Sequence, residues 1–269
     1  MSDFEIIETN VNGVRMKVTR FGGGKKIFVI VPGVSLHPIY PSAAAVARQY
    51  RKMHSEYTVY LFDRKEDITK GYSIYDMADD TANAMKSLGL DGAYALGTSQ
   101  GGAIVMAMMI KYPSLIKKAV IASSSARFDE ASARVVLDWA ELAQEHKVQQ
   151  LNHTCFSQIY SDEYLEKYKE GLALFEKVGT AEECDRFAVL CRACLDFLVY
   201  DDLPKIKGEI FAVGSECDKV LTAKGTKEIA EKTGCECYIY DGYSHAVYDE
   251  APDFIDRMLD FFNREETEK

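Results

Sequence analysis

The chain has few prolines, one tryptophan, no long apolar run and no block of like charge. With six prolines and the single Trp139 in 269 residues, few breaks are forced, so organisation must be read from periodicity. No stretch approaches the roughly 20 uninterrupted apolar residues that span a bilayer, so no membrane partner is expected. Residues 1–8 carry no basic segment followed by an apolar core and a small-residue cleavage site, and the expected location is the cytoplasm. A net charge of −10 without a basic stripe repels phosphate backbones and excludes nucleic acid as a natural partner. Seven cysteines, an odd number without a regular spacing, exclude a disulfide scaffold. Cys191-x-x-Cys194 has no second pair and no nearby histidine to complete four metal ligands. It lies on a helical stripe with Phe187, Leu190, Leu195 and Leu198, so buried thiols are expected and no metal. Neither nucleic acid nor membrane is therefore among the expected partners.

What the chain does have is order. Strands are predicted over 4–10, 14–21 and 26–31, with Asn12-Gly13 turning the first hairpin and Gly22-Gly23-Gly24 read as a second, flexible hairpin connection. From there helices and strands alternate: a helix over 42–53, a strand over 57–62, a helix over 74–88, a strand over 93–97, a helix over 103–112 and a strand over 118–122. Such alternation builds a parallel sheet covered on both faces. It stops at Ser123 and resumes at Gly208. Between them, helices are predicted over 131–144, 148–160, 163–178 and 181–199, an inserted helical module. A strand over 209–213, a helix over 222–232, a strand over 236–240 and a helix over 252–264 complete the chain.

The tight turn at Gly97-Thr98-Ser99-Gln100-Gly101 joins a buried strand to a long apolar helix. A turn this tight needs neighbours without bulk, and its strained backbone lifts the serine hydroxyl above the sheet edge. The pattern reads as a nucleophile elbow. A serine needs a base to take its proton, and the base needs a carboxylate to fix its tautomer; the expected order is serine, acid, histidine. His54 lies in a helix-to-strand connection, and His146 and His153 lie in the helical insertion. His245 follows the last strand, on a loop that opens onto the ligand-binding edge of a parallel sheet. It is the expected base, ahead of His37. The loop after the penultimate strand offers Glu216 and Asp218, and Asp241 lies nearer the histidine in sequence. Asp218 is the expected acid because it sits deeper in its loop, with Val220 and Leu221 beyond it to exclude water. Oxyanion stabilisation needs two amides. Gln100 supplies one, and Pro32 has no N–H to give, so Val34 supplies the other, with Gly33 keeping the approach open. Ser35, His37, Trp139, Phe156, Tyr160 and Val220 are the expected pocket residues.

With these residues in place, the chain resembles the α/β-hydrolase superfamily over nearly its whole length. Pro32-Gly33 is similar to the family's His-Gly after the third strand, and Asp63-Arg64 to its Asp-Arg-x-Gly. Residues 97–102 resemble Gly-x-Ser-x-Gly-Gly, 214–218 its Gly-x-x-Asp, and Ser244-His245 its Gly-His. The resemblance implies an α/β fold with a mostly parallel eight-stranded sheet, helices on both faces, and a helical cap inserted after the sixth strand. The core would then be 1–126 and 204–269, with 127–203 as the cap. Proline before Gly33, serine before His245, and Lys65-Glu66 after Asp63-Arg64 depart from the family pattern. A serine nucleophile points away from the epoxide hydrolase and haloalkane dehalogenase branches, which use a carboxylate. The implied activity is hydrolysis of a small ester or related acyl compound by Ser99, His245 and Asp218, without metal or cofactor. Carbon–carbon bond hydrolysis, proline iminopeptidase and thioesterase action are rivals on the same triad, and a small-molecule receptor or signalling protein that keeps the triad is the non-enzyme alternative. Cap residues are expected to set selectivity among these.

Overall fold

A computed structural model describes residues 4–265. Its strands are β1 (Phe4–Val11), β2 (Val14–Gly22), β3 (Lys26–Val31), β4 (Tyr57–Phe62), β5 (Ala93–Thr98), β6 (Ile116–Ala122), β7 (Glu209–Ser215) and β8 (Glu236–Tyr240). They form one eight-stranded sheet in the order β1-β2-β4-β3-β5-β6-β7-β8. Only β2 runs against its neighbours; every pair from β4 to β8 is parallel. The first hairpin turns at Asn12 (φ 55°) and Gly13 (φ 85°), the two positive φ angles that a twisted two-residue hairpin requires. The second expected hairpin is a correction. β2 and β3 are not partners, because β4 lies between them. Gly22 and Gly24 instead lie against the chain entering β4, where a Cβ on Gly22 would stand 2.6 Å from the Tyr57 carbonyl oxygen and one on Gly24 1.8 Å from the Glu56 carbonyl carbon. Close approach of backbones is what Gly22 and Gly24 provide.

Alternating side chains send the sheet's apolar residues to two cores. Val29, Val31, Ala93, Ala95, Ala119 and Ile121 face one core, packed under α2 (Ile74–Ser87) and α3 (Gln100–Lys111). Phe28, Ile30, Tyr94, Leu96, Val120 and Phe211 face the other, where α1 (Ala43–Gln49) and the C-terminal helix contribute Ala47, Phe254, Met258 and Phe262. Between β6 and β7 the chain forms α4 (Glu130–Gln144), α5 (Val148–Ile159), α6 (Asp162–Phe175) and α7 (Ala181–Leu195); α8 (Thr222–Thr233), α9 (Val247–Glu250) and α10 (Phe254–Phe262) follow. No helix among the described residues is long and apolar enough to cross a membrane.

Several predicted helices are shorter than their apolar periodicity. The 42–53 helix is α1 with a short 3-10 turn on each side. The 181–199 helix ends at Leu195, because Leu198 then pairs with Arg127 and the Val199 amide donates to the Ala126 carbonyl at 2.9 Å. Those contacts pin the two ends of the insertion together. Helical structure near the C-terminus begins earlier than expected, at α9. It breaks at Ala251, which is extended (ψ 120°) as the residue before Pro252 must be.

Candidate active site

Ser99 stands between the end of β5 and the first turn of α3 with φ 51° and ψ −122°, a conformation that L-residues rarely hold without a functional reason. The packing around it admits no side chain at Gly97 or Gly101. A Cβ on Gly101 would meet the Val31 carbonyl oxygen at 1.9 Å, and one on Gly97 would meet the Gly101 oxygen at 2.7 Å. The Ser99 amide donates to the Ala122 carbonyl at 2.9 Å, while the Ser99 carbonyl accepts from the Ser124 hydroxyl at 2.8 Å and the Gly102 amide at 2.9 Å. Thr98 and Gln100 are buried, yet Ser99 keeps partial exposure. The strained turn is held on both strands and presents one hydroxyl.

His245 and Asp218 meet. Nδ1 of His245 lies 2.9 Å from Oδ2 of Asp218, with the two side chains 2% and 1% exposed. The other carboxylate oxygen, Oδ1, accepts from the amides of Val220 (2.7 Å) and Leu221 (2.9 Å). Burial pushes the Asp218 carboxyl up, but the imidazole and the two amides outweigh it and hold it below the usual carboxylate range. The other acids weighed from sequence are elsewhere: Glu216 is exposed and pairs with Lys227, and Asp241 is exposed. His146 and His153 bind Asp185 and Glu176, and His54 packs at a tilt against the Phe21 ring.

Helix ends leave carbonyls that need donors, and the insertion uses this to grip the loops that carry Asp218 and His245. The last carbonyls of α5 accept from Lys219 Nζ (Ser157 O, 3.3 Å), Ser244 Oγ (Gln158 O, 3.1 Å) and the Ala246 amide (Ile159 O, 2.9 Å). Serine at the position before His245, a departure in sequence, thus has a structural use. It ties the histidine loop to the insertion.

The amides expected to face an oxyanion lie on each side of the elbow. Gln100 opens α3, so its amide has no helical carbonyl to serve. The Gly33 amide is occupied by Thr98 Oγ1 at 3.1 Å, which leaves Val34 as the next donor on that loop. Sequence reasoning missed how the loop is braced. Arg64 Nη2 donates to the Pro32 carbonyl (2.7 Å) and to Gln100 Oε1 (3.2 Å), and Gln100 Nε2 donates to the Leu190 carbonyl on α7 (2.7 Å). Asp63 accepts from the Ile39 amide at 2.7 Å. Burial draws the Arg64 guanidinium down to about 10, which leaves it charged at neutral pH. The Asp63-Arg64 pair was visible as a motif; the bracing role of the Gln100 side chain was not, because a buried side-chain amide inside an elbow carries no sequence signal.

A cavity of about 330 Å³ opens beside the elbow, lined by Gly33, Val34 and Thr98 from the sheet and by α4, α5 and α7 residues of the insertion. A Cβ on Gly33 would sit 3.6 Å from Ser99 Oγ, so a residue of the cavity wall lies against the elbow, while Ser99 itself is not part of that wall. Ser35, His37, Trp139, Phe156 and Tyr160 all line it. His37 also pairs with Glu183 of α7 at 2.9 Å, and Trp139 Nε1 donates to Gln158 at 2.5 Å. Val220 is the exception among the expected pocket residues. It is buried in the core and serves Asp218 through its amide, and it is not part of the cavity wall. Gln49, Asn152, Tyr248 and Asp249 line the cavity without having been anticipated. Cys191 and Cys194 are buried thiols, and burial raises both; among the described residues no three His, Cys, Asp or Glu side chains cluster as metal ligands would.

Comparison with known proteins gives three kinds of likeness. A family described as alpha/beta hydrolase fold matches residues 54–252. RutD of Serratia proteamaculans (strain 568) is 33% identical over 70 residues, 26% of each chain, so this chain spans about a quarter of that relative's length. Serine hydrolase BPHL of Mus musculus is 24% identical over 212 residues, 71% of this chain and 68% of its own. Among solved structures, MGS-M2, an alpha/beta hydrolase enzyme from a Medee basin deep-sea metagenome library, superposes with a TM-score of 0.85 at 23% identity, covering 98% of this chain and 99% of its own.

Proposed function

The chain belongs to the alpha/beta hydrolase family, and on that premise we propose that it is a serine hydrolase that cleaves small carboxylic esters through an acyl-enzyme. The observation that carries this reading is the buried His245–Asp218 contact at 2.9 Å, on the loops that follow the two strands beyond the elbow strand's own neighbour. Ser99 Oγ attacks the ester carbonyl while Nε2 of His245 takes its proton. Asp218 holds Nδ1–H and stabilises the imidazolium that forms. The Gln100 and Val34 amides receive the oxyanion. Collapse of the tetrahedral intermediate expels the alcohol, which leaves with the proton from His245, and water then repeats the sequence on the acyl-enzyme.

The cavity's size and largely apolar wall favour a short acyl or alkyl chain over a polymer, and the serine hydrolase name of the mouse relative is in keeping with the same chemistry. The test is turnover of p-nitrophenyl acetate, butyrate and octanoate by the wild-type chain and by Ser99→Ala. Saturable release of p-nitrophenol by the first and none by the second supports the reading. Tight binding of small esters without turnover would make the protein a receptor instead.

A further inference from the structure

The cavity wall carries one carboxylate. Of its lining residues Asp249 is the sole acid, and neither lysine nor arginine is among them. His37, the other titratable group of opposite sign, is already engaged by Glu183. Asp249 lies on α9, four residues after His245, and its Oδ1 accepts from Gln49 Nε2 at 3.1 Å; the same nitrogen reaches the Tyr248 carbonyl at 3.3 Å. Asp249 and its partner Gln49 are both exposed, and both line the cavity, so the carboxylate is accessible to whatever enters it. Burial pushes its carboxyl up to about 6, Glu250 acts in the same direction, and Gln49 and Tyr160 oppose them without overcoming them. Among the described residues no basic side chain draws it back down.

With neither lysine nor arginine in the wall, this accessible carboxylate is served by Gln49 and solvent, and a cation held in the cavity would pair with it by a charge-assisted contact. An anchor for α1 would need only an acceptor for Gln49, which asparagine supplies without charge. We propose that Asp249, flanked by Gln49 and Tyr160, is a subsite for a protonated amine carried by the substrate, so that the favoured esters are those of amino-substituted acids or alcohols. This rests on the hydrolase reading for its substrate class, but the subsite itself can be tested apart from turnover.

The probes are n-hexylammonium and 1-hexanol, equal in length and different in charge, used at about pH 8, where a carboxyl near 6 is ionised. They are compared as competitive inhibitors of p-nitrophenyl butyrate hydrolysis by the full chain, and by calorimetric binding to Ser99→Ala. Hexylammonium is expected to bind at least about tenfold more tightly than hexanol, as a charge-assisted contact requires. In Asp249→Asn, which keeps the acceptor for Gln49, that ratio should fall about tenfold; Asp249→Glu should retain the preference. If Asp249→Asn does not fold by circular dichroism, Asp249→Ser gives the same comparison. Equal binding of the two probes to the wild-type chain, or a ratio that Asp249→Asn leaves unchanged, overturns the proposal. If the butyrate ester is not hydrolysed, the hydrolase reading fails by itself and the calorimetric comparison still decides the subsite.

Discussion

Replacing Asp218 with asparagine removes one charge and almost no volume. Asparagine can keep its oxygen where Oδ1 now accepts from the Val220 and Leu221 amides, and its NH2 then faces Nδ1 of His245. Nδ1 must become the acceptor, so the proton moves to Nε2, and the ring can no longer take the Ser99 proton. The size of the effect follows from the geometry. At an effective dielectric of about 20, unit charges at the 2.9 Å Nδ1–Oδ2 separation attract by about 6 kcal/mol, equivalent to about four decades in rate. The assay is kcat for p-nitrophenyl butyrate, with thermal unfolding of both proteins followed across pH. Because the Asp218 carboxyl is held below its ordinary value in the fold, its contribution to stability is complete above the unfolded value near ~4. It is lost as pH falls through the lower folded value. The stability gap between wild type and Asp218→Asn should therefore be constant through neutral pH and close only in acid. A folded Asp218→Asn that keeps kcat within tenfold of wild type refutes the role given to this contact.

Ser99→Gly should unfold at a higher temperature than Ser99→Ala, reversing the ordinary order, because φ 51° suits glycine and strains alanine by about 1 kcal/mol or more; the usual order in thermal scans would remove the strain from the account. Gly101→Ala should be destabilised by at least about 3 kcal/mol in urea titrations, since its Cβ would stand 1.9 Å from the Val31 oxygen; a neutral result would mean that β3 and α3 are farther apart. Phe156→Ala enlarges the cavity, so kcat/KM across acyl chain lengths should peak at a longer chain, whereas an unchanged rank order would make Phe156 a packing residue only.

Much of this was legible before any coordinates. The parallel strands could be read because they are buried on both faces, as the continuous run Val29-Ile30-Val31 and the unbroken burial of β5 show. Candidate loops could then be placed by their position after each strand, which is how Asp218 and His245 were paired. The failures have physical causes. Gly22-Gly23-Gly24 looked like a hairpin because glycine signals both a turn and a close backbone approach, and only the sheet order distinguishes them. Val220 looked like a pocket wall because an apolar residue beside an acid can shield it by side chain or by backbone, and the backbone does so here. Asp249 was overlooked because Tyr248-Asp249-Glu250 has the composition of a solvated helix turn. Its place in the cavity arises from α9, a single turn that the sequence pattern does not announce. Gln49 joins it from α1, some 200 residues away in the chain.

The central claim is that Ser99 is a nucleophile, and the most direct measurement is covalent capture. The full chain is treated with a small fluorophosphonate, which phosphonylates an activated serine with loss of fluoride, and the product is digested and mapped by mass spectrometry. The account predicts one adduct per chain, on the peptide that contains Ser99, with labelling abolished in Ser99→Ala and slowed by orders of magnitude in His245→Ala and Asp218→Asn. An unlabelled wild-type chain, or a Ser99→Ala chain that is labelled as fast as wild type, contradicts it.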